Sequence, residues 1–374
     1  MTTLGAIPTD PQAFTPDLLE RLLHTLNPGV GVRDVSVRRV WEWGQGEAVS
    51  TSGRLDLDLA YDTEHDLPRS VVLKIARPAL PAFPLYRNEV DVYTSIRPWE
   101  FLPTPRCLGA WFDPASGSFG LALEDLRPHG ARFASAVDAP PLASIESAIR
   151  ELARLHARFW DPADADPSSA PGGDPRLAWA QTHVAGELHE LFDHPDLVPR
   201  MIREEVVTTQ HKRELLQSVG QDPDSLHAQV RRVQQHQATL PRTLVHGDCH
   251  VGNTYVLPGG ETGFVDWQLS VRGHFMHDLS YLLVTGLDVA TRRADERRLI
   301  GLHLDELARH GVDAPPSLEE AFEEYRRAQA WNTYIGWLTC PVANYGWEIN
   351  VANHVRLLTA YRDLDTAAAI GDLP

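Results

Sequence analysis

The chain has 374 residues, of which 43% are hydrophobic and 23% are charged, and its formal net charge is -17. This length is sufficient for two lobes, each with its own hydrophobic core. The acidic balance counts against a nucleic-acid-binding protein, because phosphate contacts need clustered Lys and Arg. Cys107, Cys249 and Cys340 are too few and too scattered for a disulfide framework or a thiolate zinc site, so we expect reduced thiols.

The sequence shows no targeting or membrane-spanning signal. Met1–Phe14 lacks a basic segment followed by an apolar core. No apolar run approaches the roughly 20 residues that a transmembrane helix needs. We therefore expect a cytoplasmic protein, a monomer or homodimer, that binds neither membranes nor nucleic acid.

The first third of the chain predicts one helix and an antiparallel sheet. Pro16–Leu26 has apolar positions at helical spacing behind a Thr/Pro start. Alternating or apolar runs predict strands at Val35–Trp43, Arg54–Tyr61, Ser70–Ala76, Pro105–Phe112 and Phe119–Leu123. Between the first two strands lie Gly44, Gly46 and Ser50. Backbone amides of such a turn can approach phosphate oxygens, although a glycine-rich hairpin turn is more often only a turn.

A lysine interrupts the apolar strand Ser70–Ala76. Burying Lys74 in a strand is costly unless the charge is paired. Glu89, in the segment Leu85–Tyr93, is the candidate partner. On these residues alone, a solvated lysine and an unrelated surface glutamate remain the alternative.

The rest of the chain predicts a mainly helical region. Ile145–Trp160 is amphipathic and places His156 on its packed face. Asp161–Pro175 is rich in Pro, Ala, Asp, Ser and Gly, which predicts an exposed loop. Three helical patterns follow between Leu177 and Leu240, with breaks near residues 193–195 and 220–223. Three polar residues of this region are interpreted as solvent-facing: His227, His236 and Gln237.

The most informative stretch is Leu244–Asn253, an apolar strand followed by a polar loop. The hairpin after it would bring Asp266 back toward Asp248 and Asn253. Two carboxylates and an amide suit a hard cation such as Mg²⁺, and one carboxylate can accept a proton from a hydroxyl. Asp248 and Asn253 could instead cap turns. A metal hydrolase is a third interpretation, since six possible ligands crowd this region: His246, Asp248, His250, His274, His277 and Asp278.

The order His-x-Asp-x-x-x-x-Asn, a hairpin and a further Asp resembles the catalytic and metal loops of kinase-fold phosphotransferases. The sequences of residues 246–253 and of Asp266-Trp267-Gln268 are similar to the motifs of the aminoglycoside phosphotransferase and choline kinase-like superfamily, including its ecdysteroid kinase-like branch. Trp267-Gln268 stands where protein kinases have Phe-Gly, and no Ala-Pro-Glu segment is visible. Both departures count against a protein kinase.

The resemblance implies a two-lobed, protein-kinase-like α/β (α+β) fold. Residues 1–126 would form an antiparallel-sheet lobe with the hinge, and residues 127–374 a larger, mainly helical lobe. ATP and Mg²⁺ would be the cofactors and a small-molecule hydroxyl the acceptor, with Asp248 as the catalytic base and Asn253 and Asp266 as metal ligands. Asp278 would hold the backbone of the catalytic loop. The nucleotide-binding residues would be Gly44, Gly46, Ser50, Lys74, Glu89, Glu124 and Leu126, the last two in the hinge.

The sequence does not name the acceptor, but it favours an apolar or aromatic alcohol over an aminoglycoside or other antibiotic. Pockets for such alcohols have aromatic walls, and the C-terminal region offers Trp331, Tyr334, Trp337, Tyr345 and Trp347. The nearby acids have the spacing of a solvated face: Glu319, Glu320, Glu323 and Glu324. A non-catalytic nucleotide-binding protein with the same fold remains the alternative of another class.

Overall fold

The structure is a computed structural model that describes residues 6–41, 51–77, 83–138, 140–162 and 173–373. The chain divides into two compact units. The first extends to Arg132 and includes Phe264–Gln268, and the second comprises Phe133–Gly263 and the residues from Leu269 onward. The boundary predicted after Leu126 stays a prediction. Gly44, Gly46 and Ser50 lie outside the described residues.

The first unit is built on a five-stranded antiparallel sheet with the order β1-β2-β3-β5-β4. Its strands are β1 (Val32–Trp41), β2 (Gly53–Tyr61), β3 (Ser70–Ile75), β4 (Cys107–Asp113) and β5 (Ser118–Glu124). The described part of this unit contains two α-helices, α1 (Pro16–Leu23) and α2 (Phe83–Ser95). Each of the five strands was predicted, because alternating or apolar runs bounded by turn residues are visible in the sequence.

Helix α1 lies directly against the sheet. Thr15 caps it by accepting a hydrogen bond from the Leu18 N–H (3.3 Å), and its leucines join the core of the sheet. The carbonyl oxygen of Leu22 lies 2.4 Å from the position that a Cβ on Gly109 would take. Only glycine at this point of β4 permits so close an approach.

The second unit is mainly helical. Its helices are α3 (Leu142–Arg158), α4 (Glu187–Asp193), α5 (Val198–Thr208), α6 (Gln210–Gln217), α7 (Pro223–Gln237), α8 (Met276–Gly286), α9 (Val289–Arg309), α10 (Leu318–Gly336), α11 (Val342–Asp363) and α12 (Thr366–Gly371). Helix α8 is buried along its whole length. Among the described helices, none combines the length and apolar character needed to cross a bilayer.

Short strands flank the loops of the second unit, and two of them extend by one residue into the first unit. They are β6 (Arg132–Phe133), β7 (Thr243–Val245), β8 (Thr254–Val256), β9 (Thr262–Phe264) and β10 (Val271–Gly273). The predicted hairpin is present as β8 and β9, in a sheet with the order β6-β8-β9. Strand β10 pairs with β7 in antiparallel register, and it was not predicted, because three residues are too few to show a period.

The region 177–240 differs from its prediction in two ways. It holds four α-helices, because the extended backbone of Thr209 (φ -110°, ψ 94°) separates α5 from α6 without any Gly or Pro to signal it. The interpretation of Gln237 as solvent-facing is wrong, since it is buried and donates to Glu324 (3.0 Å). Glu324, predicted on a solvated face, is buried by the same pairing of α7 with α10, and it also hydrogen-bonds His236 (2.9 Å).

The exposed loop predicted from Asp161 is wrong at its first residue. Asp161 is only 4% exposed, and its backbone pairs with that of Arg242. Its carboxylate accepts a hydrogen bond from the buried Arg272 guanidinium (2.6 Å). Local composition could not show this pair, because Arg272 lies far along the chain. Residues 163–172 of the predicted loop lie outside the described residues.

We expect Arg272→Met to destabilise the protein by roughly 3 to 5 kcal/mol, because it leaves the Asp161 carboxylate buried without its guanidinium. Arg200→Met is the matched control: Arg200 and its partner Glu204 (3.7 Å) are both exposed, and such surface pairs contribute roughly 0 to 1 kcal/mol. Urea unfolding followed by tryptophan fluorescence measures both changes. Equal, small effects of the two variants would contradict the buried-pair interpretation.

Candidate active site

The first unit contains a buried cluster of one lysine and two carboxylates. Lys74 on β3 is 5% exposed, and its Nζ donates to both oxygens of Glu89 on α2 (2.7 and 2.5 Å) and to Oδ1 of Asp266 (3.0 Å). Burial alone would lower the pKa of Lys74, but the carboxylates of Asp266 and Glu89 outweigh it and raise that pKa. The pairing of Lys74 with Glu89 is therefore present, and the lysine is charged.

Asp266 reaches this cluster from a left-handed backbone conformation, with φ of 68°. A non-glycine residue adopts this conformation at a cost, so its neighbours must hold it. Thr104 accepts a hydrogen bond from the buried indole of Trp267 (3.0 Å) and donates to the carbonyl of Phe264 (2.8 Å). The Phe264 N–H donates to the carbonyl of Pro103 (3.0 Å). These bonds fix the residues on both sides of Asp266.

In the second unit, Asp278 holds the loop that follows β7. Its carboxylate accepts hydrogen bonds from the backbone N–H groups of His246 (2.6 Å) and Gly247 (2.8 Å). His156 on α3 donates to the same carboxylate (3.1 Å), and His277 bonds the carbonyl of Gly247 (3.0 Å). The backbone contact predicted for Asp278 is present. The bond from His156 was missed, because a histidine on a packed helical face gives no sign of its partner.

Asp248 and Asn253 are joined within this loop. The Asn253 Nδ2 group donates to the Asp248 carbonyl (2.9 Å) and carboxylate (3.1 Å). Because the amide nitrogen makes these bonds, the amide oxygen is the atom suited to a cation. His246 and His250 accept from backbone N–H groups two residues further on (3.3 and 3.0 Å), so both shape the loop.

Gly247 has to be glycine in this loop. Its φ is 84°, and a Cβ would lie 1.9 Å from the carbonyl oxygen of Leu269. Cys249, next to the predicted base, is fully buried, and burial raises the pKa of its thiol well above the usual range. It is therefore protonated at neutral pH and is no nucleophile.

The histidines of this region do not form a metal centre. Burial lowers the pKa of His274 to about 4, and it also lowers the pKa of His277. Both imidazoles are thus neutral at pH 7. Within the described ranges, no three His, Cys, Asp or Glu side chains are placed to bind one metal ion. This geometry counts against the metal hydrolase interpretation.

The two predicted hinge residues lie at the end of the sheet of the first unit. Glu124 ends β5, and its N–H donates to the carbonyl of Arg106 (2.9 Å). Leu126 is buried and opens the turn that follows, with its carbonyl accepting from the His129 N–H (3.0 Å). Their contact with an adenine stays a prediction.

Comparison with known proteins identifies the family. The model of the APH phosphotransferase enzyme family matches residues 58–331. The chain belongs to this family. The phosphotransferase is similar to the solved structure of an ethanolamine kinase from Plasmodium vivax, with 11% identity and a TM-score of 0.51, covering 97% of this chain and 93% of that one. The predicted superfamily and kinase-like fold are confirmed.

Two further solved structures are similar to the phosphotransferase. A choline kinase from Streptococcus pneumoniae has 11% identity and a TM-score of 0.45, covering 93% of this chain and 98% of that one. A putative aminoglycoside phosphotransferase from Ralstonia eutropha has 15% identity and a TM-score of 0.47, covering 93% and 99%. A search of curated proteins found no matching relative.

We expect Asp278→Asn to destabilise the phosphotransferase in a pH-dependent way. Burial would raise the pKa of Asp278, but the hydrogen bond from His156 and the nearby imidazoles lower it to about 2. The ordinary value is about 4, so the carboxylate contributes roughly 2 to 3 kcal/mol above pH 4. This contribution is lost as the pH falls through about 2.

Melting temperatures of the parent and of Asp278→Asn between pH 7 and pH 2 test this expectation. The difference between the two proteins should be constant above pH 4 and should shrink below it. Asp313→Asn, a change of an exposed carboxylate on the same unit, is the control. A difference that does not depend on pH would contradict the assignment.

Proposed function

We propose that the chain is an ATP- and Mg²⁺-dependent phosphotransferase that phosphorylates a hydroxyl group of a small organic molecule. The Lys74–Glu89–Asp266 cluster carries the proposal. It fixes a positive group for the α- and β-phosphates beside a carboxylate for the metal, which is the arrangement that phosphoryl transfer uses. Family membership supports the reaction class.

Each proposed ligand suits the proposed metal by its own chemistry. Asp266 in the first unit and Asn253 in the second offer oxygen ligands of the kind that Mg²⁺ prefers. Bound Mg²⁺ would neutralise charge on the β- and γ-phosphates. Gly44, Gly46 and Ser50 are proposed to cover the phosphates, and the hinge at Glu124 and Leu126 to meet the adenine. We propose no other cofactor.

Asp248 is proposed to orient the acceptor hydroxyl and to accept its proton. The bond from Asn253 holds the carboxylate, and Asp278 fixes the backbone before it. Positioning of this kind accounts for most of the catalysis that a protein supplies in phosphoryl transfer. A non-catalytic nucleotide-binding protein is the weaker candidate, because Lys74, Glu89, Asp248, Asn253 and Asp266 are all retained.

The decisive experiment is an assay of ADP release stimulated by acceptors, over a chemically broad panel of alcohols. We expect Asp248→Asn to lower turnover by roughly two to four orders of magnitude, because it removes the proton acceptor but preserves the shape. Nucleotide affinity should change little. Glu261→Gln, in the exposed turn between β8 and β9, is the matched control and should keep full turnover.

Near-normal turnover of Asp248→Asn would move the chemistry to another residue. Absence of ADP release from the parent with every alcohol, despite nucleotide binding, would favour the non-catalytic alternative.

If Asp266 binds the metal, its substitution should cause a loss of ATP binding that is separate from the loss of turnover in Asp248→Asn. Asp266→Ala should abolish the Mg²⁺-dependent part of ATP binding, because it removes a charged oxygen ligand. Titration calorimetry with ATP, in Mg²⁺ and in EDTA, measures this part directly. Asn253→Ala should raise the Mg²⁺ requirement, since an amide is a weaker ligand than a carboxylate. Parent-like Mg-ATP binding by Asp266→Ala would show that the metal is held elsewhere.

The acceptor is proposed to be an apolar or aromatic alcohol. The lining of a cavity beside Gly247 in the second unit includes six ring side chains: His183, His189, Phe192, His227, Trp331 and Tyr334. The carboxylate that lines it, Asp193, already pairs with Arg231 (2.8 Å). Another acidic side chain of the second unit, that of Glu205, is also neutralised, because it pairs with the buried Lys212 (3.0 Å). A polycationic antibiotic needs carboxylates that are not already neutralised, whereas an aromatic alcohol needs such apolar walls.

Substitutions of Trp331 and Trp347 distinguish an aromatic alcohol from an aminoglycoside as the acceptor. Trp331 lines the cavity, and its Nε1 is buried and bonds no described residue. Trp331→Phe should therefore raise the KM for an aromatic alcohol several-fold. Trp347→Phe is the control, because Trp347 is 61% exposed. Efficient phosphorylation of an aminoglycoside, with neither variant changing it, would overturn the aromatic assignment and leave the phosphotransferase in place.

A further inference from the structure

We propose that Arg54 is a second cation that binds the polyphosphate of the nucleotide. In the structure it contacts Asp266, and it exchanges this carboxylate for phosphate when the metal and nucleotide bind. The inference rests on the proposed function, and it concerns a residue for which neither the motif nor the comparisons give a role.

The register of the sheet places Arg54 beside the cluster. Arg54 on β2 is the cross-strand partner of Lys74 on β3, and residues directly opposite each other in an antiparallel pair project from the same face. Both side chains reach the same carboxylate. The Lys74 Nζ lies 3.0 Å from Oδ1 of Asp266, and the Arg54 Nη2 lies 3.5 Å from Oδ2. Each oxygen of Asp266 thus faces a different cation.

The two cations are held differently. Lys74 is buried and bonded to both oxygens of Glu89, so it stays in place. The Arg54 side chain is 30% exposed, and its contact with Asp266 is longer than a good hydrogen bond. Its Nε is buried and bonds no described residue. Arg54 therefore keeps both a donor and the space to turn toward another anion.

Charge balance gives the direction of this exchange. In their charged forms, Lys74 and Arg54 carry two positive charges and Glu89 and Asp266 two negative ones, so the formal charges of the four groups balance. A divalent cation bound to Asp266 adds two positive charges next to both basic groups, which is unfavourable without a further anion. The polyphosphate is that anion. A guanidinium suits it, because its planar fork can bind two phosphate oxygens at once.

Hydrogen bonds hold the backbone before Arg54 in place. Tyr86 on α2 donates to the carbonyl of Thr51 (2.7 Å), and the Thr51 hydroxyl donates to the side chain of Gln268 (2.5 Å). These bonds tie the residue two positions before β2 to the helix that carries Glu89 and to the segment that carries Asp266. The guanidinium can therefore move while its Cα stays in register.

Calorimetric titrations of ADP in Mg²⁺, and of adenosine, test the proposal on the parent, Arg54→Gln and Arg54→Lys. Arg33→Gln is the control, because it removes the same charge from an exposed position of β1 in the same unit. We expect Arg54→Gln to weaken Mg-ADP binding about tenfold or more, since it removes a charge-assisted contact. Arg54→Lys should recover part of the loss. Adenosine has no phosphate, so its affinity should not change, and Arg33→Gln should behave as the parent.

A change in Mg-ADP affinity of the opposite sign would overturn the inference. If Arg54 only competes with the metal for Asp266, Arg54→Gln should bind Mg-ADP more tightly. Equal losses for adenosine and Mg-ADP would show a merely structural role, and unchanged Mg-ADP affinity would show none. A parent protein that binds neither ligand would refute the proposed function itself, and the inference with it.

Discussion

A single buried ammonium group organises the first unit. A lysine in the middle of a sheet is tolerated only if its charge is compensated, and Lys74 recruits compensation from two distant parts of the chain. Glu89 comes from α2, and Asp266 from residues 264–268, a short segment that belongs to the first unit although the chain around it belongs to the second. The ion pairs give a physical reason for this excursion.

In the second unit, a buried carboxylate organises the loop that follows β7. Asp278 lies in the first turn of α8, a helix buried along its whole length, and accepts hydrogen bonds from two successive backbone N–H groups of the loop after β7. Buried backbone N–H groups have to be paired, so these bonds fix the loop conformation. The proposed base therefore follows a backbone that is held by a rigid element, which is what positioning of a reacting hydroxyl requires.

The sequence predicted what is local and missed what depends on distant partners. Alternating or apolar runs predicted the five strands of the first sheet, and the residues from His246 to Asn253 predicted the polar loop. The pairs His156–Asp278, Asp161–Arg272 and Gln237–Glu324 left no local trace, because each joins residues far apart in the chain. Arg54 was missed for the same reason, since only the register of β2 against β3 places it beside Lys74.

The residues that follow Asp266 explain how its strained backbone is maintained. Protein kinases have Phe-Gly at this point, and packing of the Phe sets active and inactive arrangements. Here Trp267 is fully buried and hydrogen-bonded to Thr104, and Gln268 is bonded twice, by its side chain to Thr51 and by its carbonyl to Asn88 (3.0 Å). A Phe-Gly pair could make only the last of these three bonds, the one to the backbone carbonyl. The left-handed Asp266 is therefore held on its C-terminal side by two side chains that a Phe-Gly pair lacks, and a carboxylate fixed in advance binds a cation without first losing conformational freedom.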